Sequence, residues 1–132
     1  MPNAAFKGDA YFNGPFNKIL DVRLLREQFE EFFVPSIRQI NSEAVSIGMG
    51  PVVAEAQDWC VQRRILNPVQ VLGYFPHASG RSGSQFAYFM RRKVLSELSA
   101  RDPVRYRASA LDAAYERMRN NVRCRFPKAF LV

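Results

Sequence analysis

Histidine is almost absent from this chain and cysteine is scarce. One His, at position 77, and two Cys, at 60 and 124, occur in 132 residues. The cysteines are far apart and lack the paired spacing of a zinc ribbon or a redox motif, and one histidine cannot complete a metal set with them. No metal and no cofactor is expected. The cysteines read as reduced thiols, Cys60 packed as a small hydrophobe on a helix face and Cys124 near the basic C-terminal end.

Long apolar runs are missing as well. Nothing approaches the roughly 18 residues of a membrane span, and the opening MPNAAFKGDAYF lacks the basic-then-apolar order of a secretory signal. A cytoplasmic setting, or a place inside a larger particle, is expected. Catalytic signatures are equally thin. Glu30 and Glu31 are adjacent, so on a helix they point in different directions and form no carboxylate pair. His77 would need the fold to bring Cys60 or Cys124 to a loop tip before it could act in nucleophilic chemistry. The stretch GRSGS, residues 80–84, sits before a helix. It has neither the Lys and spacing of a Walker loop nor the glycine fingerprint of a dinucleotide fold, and it reads as a surface connector. No glycine-containing turn is spaced like a helix-turn-helix, and there is no aromatic RNA-binding box. Enzymatic activity is not expected.

Negative charge is short in one half only. Residues 81–128 hold 12 Lys/Arg against 4 Asp/Glu, while residues 1–80 hold 7 against 8, so the formal charge of +7 comes entirely from the second half. Such a surface attracts nucleic acid, an anionic membrane surface or an acidic protein.

What is present suffices for one folded domain: 48% hydrophobic residues, with 11 Phe. The pattern predicts a mainly α-helical domain of four or five helices with an ordered N-terminal arm and at most a short β element. Residues 1–20 read as an extended aromatic arm, 21–128 as the helical domain with its basic C-terminal half, and 129–132 as an apolar tail.

Within the domain, Asp21 can cap a helix whose apolar stripe is Val22, Leu25, Phe29, Phe32 and Phe33, with Pro35 ending or kinking it. Ile37, Ile40, Ala44 and Ile47 continue a helical spacing toward Gly48. Gly50-Pro51 opens a helix that Asn67-Pro68 ends. Residues 69–75 are short, β-branched and aromatic, consistent with a lone strand paired by the arm or by another chain, or with a buried extended segment. A helix is expected over 85–99 with Arg91 inside its apolar face, where an arginine needs a partner. Asp102 and Pro103 start the last long helix, whose seam is Val104, Ala108, Leu111, Tyr115, Met118 and Val122.

These features point to a non-enzymatic structural or interaction subunit of a larger assembly, its partners other protein subunits, whether copies of itself or different chains. Arg91, Arg92, Lys93, Arg101, Arg105, Arg107, Arg119, Arg123 and Arg125 are the candidate contacts to an acidic partner or nucleic acid, since Arg suits planar recognition of phosphate or carboxylate. Phe6, Tyr11, Phe12, Phe16 and Phe130 are the candidate contacts to neighbouring subunits. The alternatives are a dedicated DNA- or RNA-binding regulator and, last, a small enzyme.

Overall fold

Two prolines begin the helices that frame the molecule. The computed structural model describes residues 6–7, 10–11, 15–77 and 83–130. Pro51 opens α4 (Pro51–Gln62) from Gly50, and Asp102-Pro103 leads into α6 (Val104–Arg125). The Asp102 carboxylate accepts from the Val104 N–H at 3.0 Å, which satisfies one of the free donors at that end. Along α6 the expected seam faces inward: Val104 and Leu111 are buried, and Ala108, Tyr115 and Met118 pack beside them.

The architecture is mainly α with short β elements. In the N-terminal segment the described backbone forms a short antiparallel pair, β1 (Phe6–Lys7) with β2 (Ala10–Tyr11). A helix begins earlier than the pattern predicted. α1 (Phe16–Asp21) lies within the stretch read as an arm, and Asp21 ends it rather than capping the next helix. The chain breaks at Val22 in an extended conformation before α2 (Arg23–Gln28). Pro35 does not end the following run either. A π-helical turn, Phe29–Phe33, leads into α3 (Val34–Arg38), with Pro35 in the first turn of α3, where a missing donor does least harm. The π turn stacks Phe29 on Phe33 at 4.8 Å and sets Phe29 edge-on to Trp59 of α4.

The largest departure comes next. Residues 46–49, expected to continue a helix, form β3 (Ser46–Met49), which pairs in parallel with β4 (Val71–Phe75). The lone strand therefore has its partner in the same chain, and β3, α4 and β4 make a βαβ unit. One local and one distant device stop the helix. Asn41 turns its side chain back to accept the Glu43 N–H at 2.7 Å, and the buried Gln70 amide donates to the carbonyls of Asn41 and Ala44, both at 3.1 Å. Gly48 is needed in β3 because a Cβ there would come within 2.8 Å of Gln57 Oε1 and 3.1 Å of Tyr74 Cβ. Gly73 of β4 has φ +133°, a backbone that side chains rarely adopt.

Helix α5 (Gly83–Phe89) is shorter than predicted, since α5 stops at Phe89 and Leu95–Glu97 is a separate 3-10 turn. Arg91 sits in the left-handed region at φ 59°. The Arg92 N–H reaches the Ala87 carbonyl and the Arg91 N–H the Tyr88 carbonyl, which is a Schellman closure with Arg where Gly is usual. Helix α4 ends the same way, with Arg64 at φ 58° and the Ile65 and Arg64 N–H groups on the carbonyls of Cys60 and Val61. Neither stop has the glycine that would announce it.

Two apolar clusters result. One gathers Tyr88, Phe89, Leu98, Val104, Leu111 and Ala114 between α5, the following turn and α6. The other gathers Cys60, Leu66 and Val71 with Phe33, Ile37 and Trp59. Cys60 is fully buried as expected and Cys124 is exposed, both as free thiols. Burial raises the Cys60 thiol pKa, only partly offset by Arg38.

Candidate interaction surfaces

The arginines of α6 do not line up on one face. At about 100° per residue, Arg105 and Arg123 project about 100° from Val104, Arg119 about 60°, Arg117 about 220°, and Arg107 and Arg125 about 300°. Most are also engaged within the chain. Arg119 pairs with Glu116 at 3.6 Å, Arg117 with Asp58 of α4 at 3.7 Å, and Arg125 with Glu43 at 3.3 Å. Arg107 Nη1 donates to Gln85 at 3.4 Å. Arg123 takes part in a further contact.

Arg105 is committed most deeply. Its Nε donates to the Ser99 carbonyl at 2.9 Å, and its Nη2 to the carbonyls of Leu95 at 2.9 Å and Leu98 at 2.7 Å. One guanidinium thus gathers three carbonyls of the turn between α5 and α6. Its fork of donors suits that task and a lysine would not reproduce it. The sequence offered Arg105 as a contact to an acidic partner or nucleic acid; the carbonyls that it meets leave no trace in the sequence.

Arg91 has the partner that its position demanded, though as the residue closing a helix end rather than as part of a helix face. Its Nη1 donates to Asp112 Oδ1 at 2.6 Å, and its guanidinium lies 4.0 Å from the ring centre of Tyr115 and 5.7 Å from that of Tyr88. The Tyr88 hydroxyl donates to the other oxygen of Asp112 at 3.1 Å. The bond to Asp112 raises the Arg91 pKa, while burial first and Asp112 second raise that of Tyr88. This cluster ties α5 to α6.

Three of the candidate cations remain. The side chains of Arg92, Lys93 and Arg101 are exposed and have no ion-pair or hydrogen-bond partner among the described residues. All three belong to the turn between α5 and α6. Exposed Met90 and Val94 flank Arg92 and Lys93 there.

The second surface is apolar. Within the run 23–38 only Val34 is buried. Phe29 and Phe33 face Trp59, but Leu24 is 62% exposed and Phe32 52%. Steps of four place Leu24, Gln28 and Phe32 along one ridge. Glu30 and Glu31 are exposed and without an ion-pair partner among the described residues, but two positions apart on a helix put Glu30 on the far side from Phe32. The nearby Asp21 and Glu27 are paired with Lys18 and Arg23.

Of the aromatic residues assigned to neighbouring subunits, Phe16 is occupied inside its own chain. It is buried edge-on to Phe29 at 5.3 Å and to Trp59 at 6.4 Å, and its N–H donates to Glu55 at 3.2 Å. Phe12 and the side chains of Phe6, Tyr11 and Phe130 lie outside the described residues, as do residues 80–82 of the GRSGS stretch.

His77 is exposed just past β4. Cys124 lines a cavity of about 450 Å³ between β4 and α6, together with Val69, Leu72 and Asn121. The Asn121 amide donates to the Leu72 carbonyl there at 2.9 Å. No three His, Cys, Asp or Glu side chains come together among the described residues, and no helix among them is long and apolar enough to cross a membrane. Comparison with family models, curated proteins and solved structures yields no match.

Proposed function

We propose that this chain is a non-enzymatic interaction subunit of a larger assembly. The observation that supports the reading most is the Leu24–Phe32 ridge. The run 23–38 is apolar on the side that packs against Trp59 and apolar again on the side that does not. Large apolar side chains aligned on an exposed face, bordered by charge, have the composition of an interface core with a polar rim. A cytoplasmic site for the assembly fits two unbridged thiols, one of them exposed.

The experiment is native mass measurement of the chain isolated from its own cells, beside a Leu24→Ser/Phe32→Ser variant. The wild type is expected in a species heavier than its own 15.1 kDa. The variant is expected to run as the free chain with unchanged helical circular dichroism. A wild type that runs as the free chain contradicts the proposal.

A nucleic-acid reading is favoured by one observation, the three unpartnered cations Arg92, Lys93 and Arg101. Three phosphate contacts would give a slope of log affinity against log salt near −3 on duplex DNA, at about −0.9 per contact. Absence of binding at low salt would sink it.

A further inference from the structure

The β3–β4 sheet is covered unevenly. On β4 the Asn121 amide of α6 donates to the Leu72 carbonyl at 2.9 Å, and Val71 and Leu72 are buried. Strand β3 has no such cover. Its Ile47 and Met49 side chains are each 47% exposed, and residues 44–54 include no charged side chain. An edge strand left in water is usually blunted by Lys or Pro, and β3 contains neither.

The ladder shows which groups this edge presents. The Gly50 N–H meets the Phe75 carbonyl at 2.8 Å, and Met49 stands opposite Phe75 in the parallel register, so Gly48 and Gly50 turn toward β4. Ile47 and Met49 therefore turn their N–H and C=O groups outward. Those groups meet no donor or acceptor among the described residues. We infer that the β3 edges of two copies of this chain pair antiparallel about Gly48, joining the two small sheets into one.

Three features of the strand select this occupant. Outward donors and acceptors in alternation are answered together by another extended strand, whereas an anion would answer only the donors. The strand is also symmetric in chemistry about Gly48. Reversed against itself, it sets Ile47 of one copy opposite Met49 of the other, twice, and Gly48 opposite Gly48, where the backbones come closest and no Cβ intrudes. Finally, the lack of charge over 44–54 keeps like charges away from the contact, although each chain carries +7.

A four-residue edge is a small contact, short of the roughly 1,200 Å² buried in stable complexes. Dilute chains therefore run apart, and the pairing gains strength inside the assembly proposed above, where it becomes effectively intramolecular. The inference rests on that reading and names one partner within it. It uses β3 and leaves the Leu24–Phe32 ridge free.

Disulfide trapping of the concentrated full chain tests the register, in a Cys124→Ser background that removes the exposed native thiol. Opposed residues of a hydrogen-bonded antiparallel pair lie about 5.5 Å apart at Cα, within disulfide reach, while the diagonal pairs 47–47 and 49–49 lie about 7–8 Å apart, beyond it. Under oxidised glutathione, a mixture of Ile47→Cys and Met49→Cys chains with native circular dichroism is expected to cross-link about tenfold faster than either alone, and to lose that advantage in denaturant. A mixture that cross-links no faster than the single variants overturns the inference, as does an advantage that survives unfolding. Either result leaves the broader subunit reading standing, since that reading fails only if the chain from its own cells runs free.

Discussion

Helix α6 and the run 23–38 are both long amphipathic stretches, yet they use their side chains in opposite ways. On α6 the apolar seam is covered, and many of its arginines are held by Glu43, Asp58, Glu116, Gln85 or backbone carbonyls. On the run 23–38 the aromatic residues divide, Phe29 and Phe33 inward and Phe32 outward with Leu24. The comparison teaches that a count of charges measures what a surface contains, not what it has free. The basic half carries the net charge but keeps most of it engaged within the fold, and the near-neutral half carries the open Leu24–Phe32 ridge.

The sharpest way to break that contrast is to truncate the two sides of the N-terminal helices. Phe16→Ala removes a ring buried between Phe29 and Trp59 and should cost about 3–5 kcal/mol in denaturant unfolding. Phe32→Ala should lie within about 0.5 kcal/mol of wild type. Similar costs for both would mean that the ridge is packed at home.

A smaller effect separates two arginines at the α5–α6 turn, Arg92 within it and Arg105 in the first turn of α6. Arg105→Ala removes three hydrogen bonds, leaving the Ser99 and Leu95 carbonyls with only their backbone donors, and should cost about 1–2 kcal/mol, allowing for its exposure to solvent. Arg92→Ala should change stability by less than about 0.5 kcal/mol. If the two variants unfold alike, the Arg105 contacts do not hold the turn.

The helix ends give a finer test. Left-handed backbone disfavours a side chain by about 1–2 kcal/mol, so Arg64→Gly should stabilise the protein, by up to about 1 kcal/mol. Arg91→Gly gains the same relief but loses the Asp112 pair and the contact with Tyr115, a loss of comparable size. It should fall near zero or below. Equal gains at both sites would show that the Arg91 cluster adds nothing to the fold.

The smallest effect is a slope in alkali. Cys60 and Tyr88 both have raised pKa values in the folded chain, so the fold favours their protonated forms. That contribution is complete below their unfolded values, about 8.5 and 10, and is lost as pH rises through the folded ones. Stability should therefore decline above about pH 8.5, and Tyr88→Phe should remove the part of the decline that begins near pH 10. A Tyr88→Phe profile that matches wild type would place the loss elsewhere.

Much of the fold was legible because some residues have few uses. Asp102-Pro103 and Gly50-Pro51 each mark a helix start through capping and a fixed φ, and the 3-4 spacing from Val104 to Val122 specified which face of α6 is buried. Ile37, Ile40, Ala44 and Ile47 misled because their spacing suits a helix, while the Gln70 bonds that oppose it come from 26 and 29 positions away. The end of α5 was hidden by an arginine in a glycine position. Among the candidate contacts, the sequence located the basic segment but not the acids and carbonyls that occupy it, since Asp58 and Glu43 reach α6 only through the fold. The ridge was hidden for a related reason. Phe32 was counted with Phe29 and Phe33 in one inward stripe, and the π turn puts it on the outside.

One measurement bears most directly on the contrast between the two halves. The native mass of the chain can be compared across two double variants, Leu24→Ser/Phe32→Ser on the ridge and Arg119→Gln/Arg125→Gln among the paired arginines of α6. The ridge variant should lose the assembled species while keeping its helical circular dichroism, and the arginine variant should keep that species. Assembly that survives loss of the ridge but fails when the α6 arginines are neutralised would contradict the account.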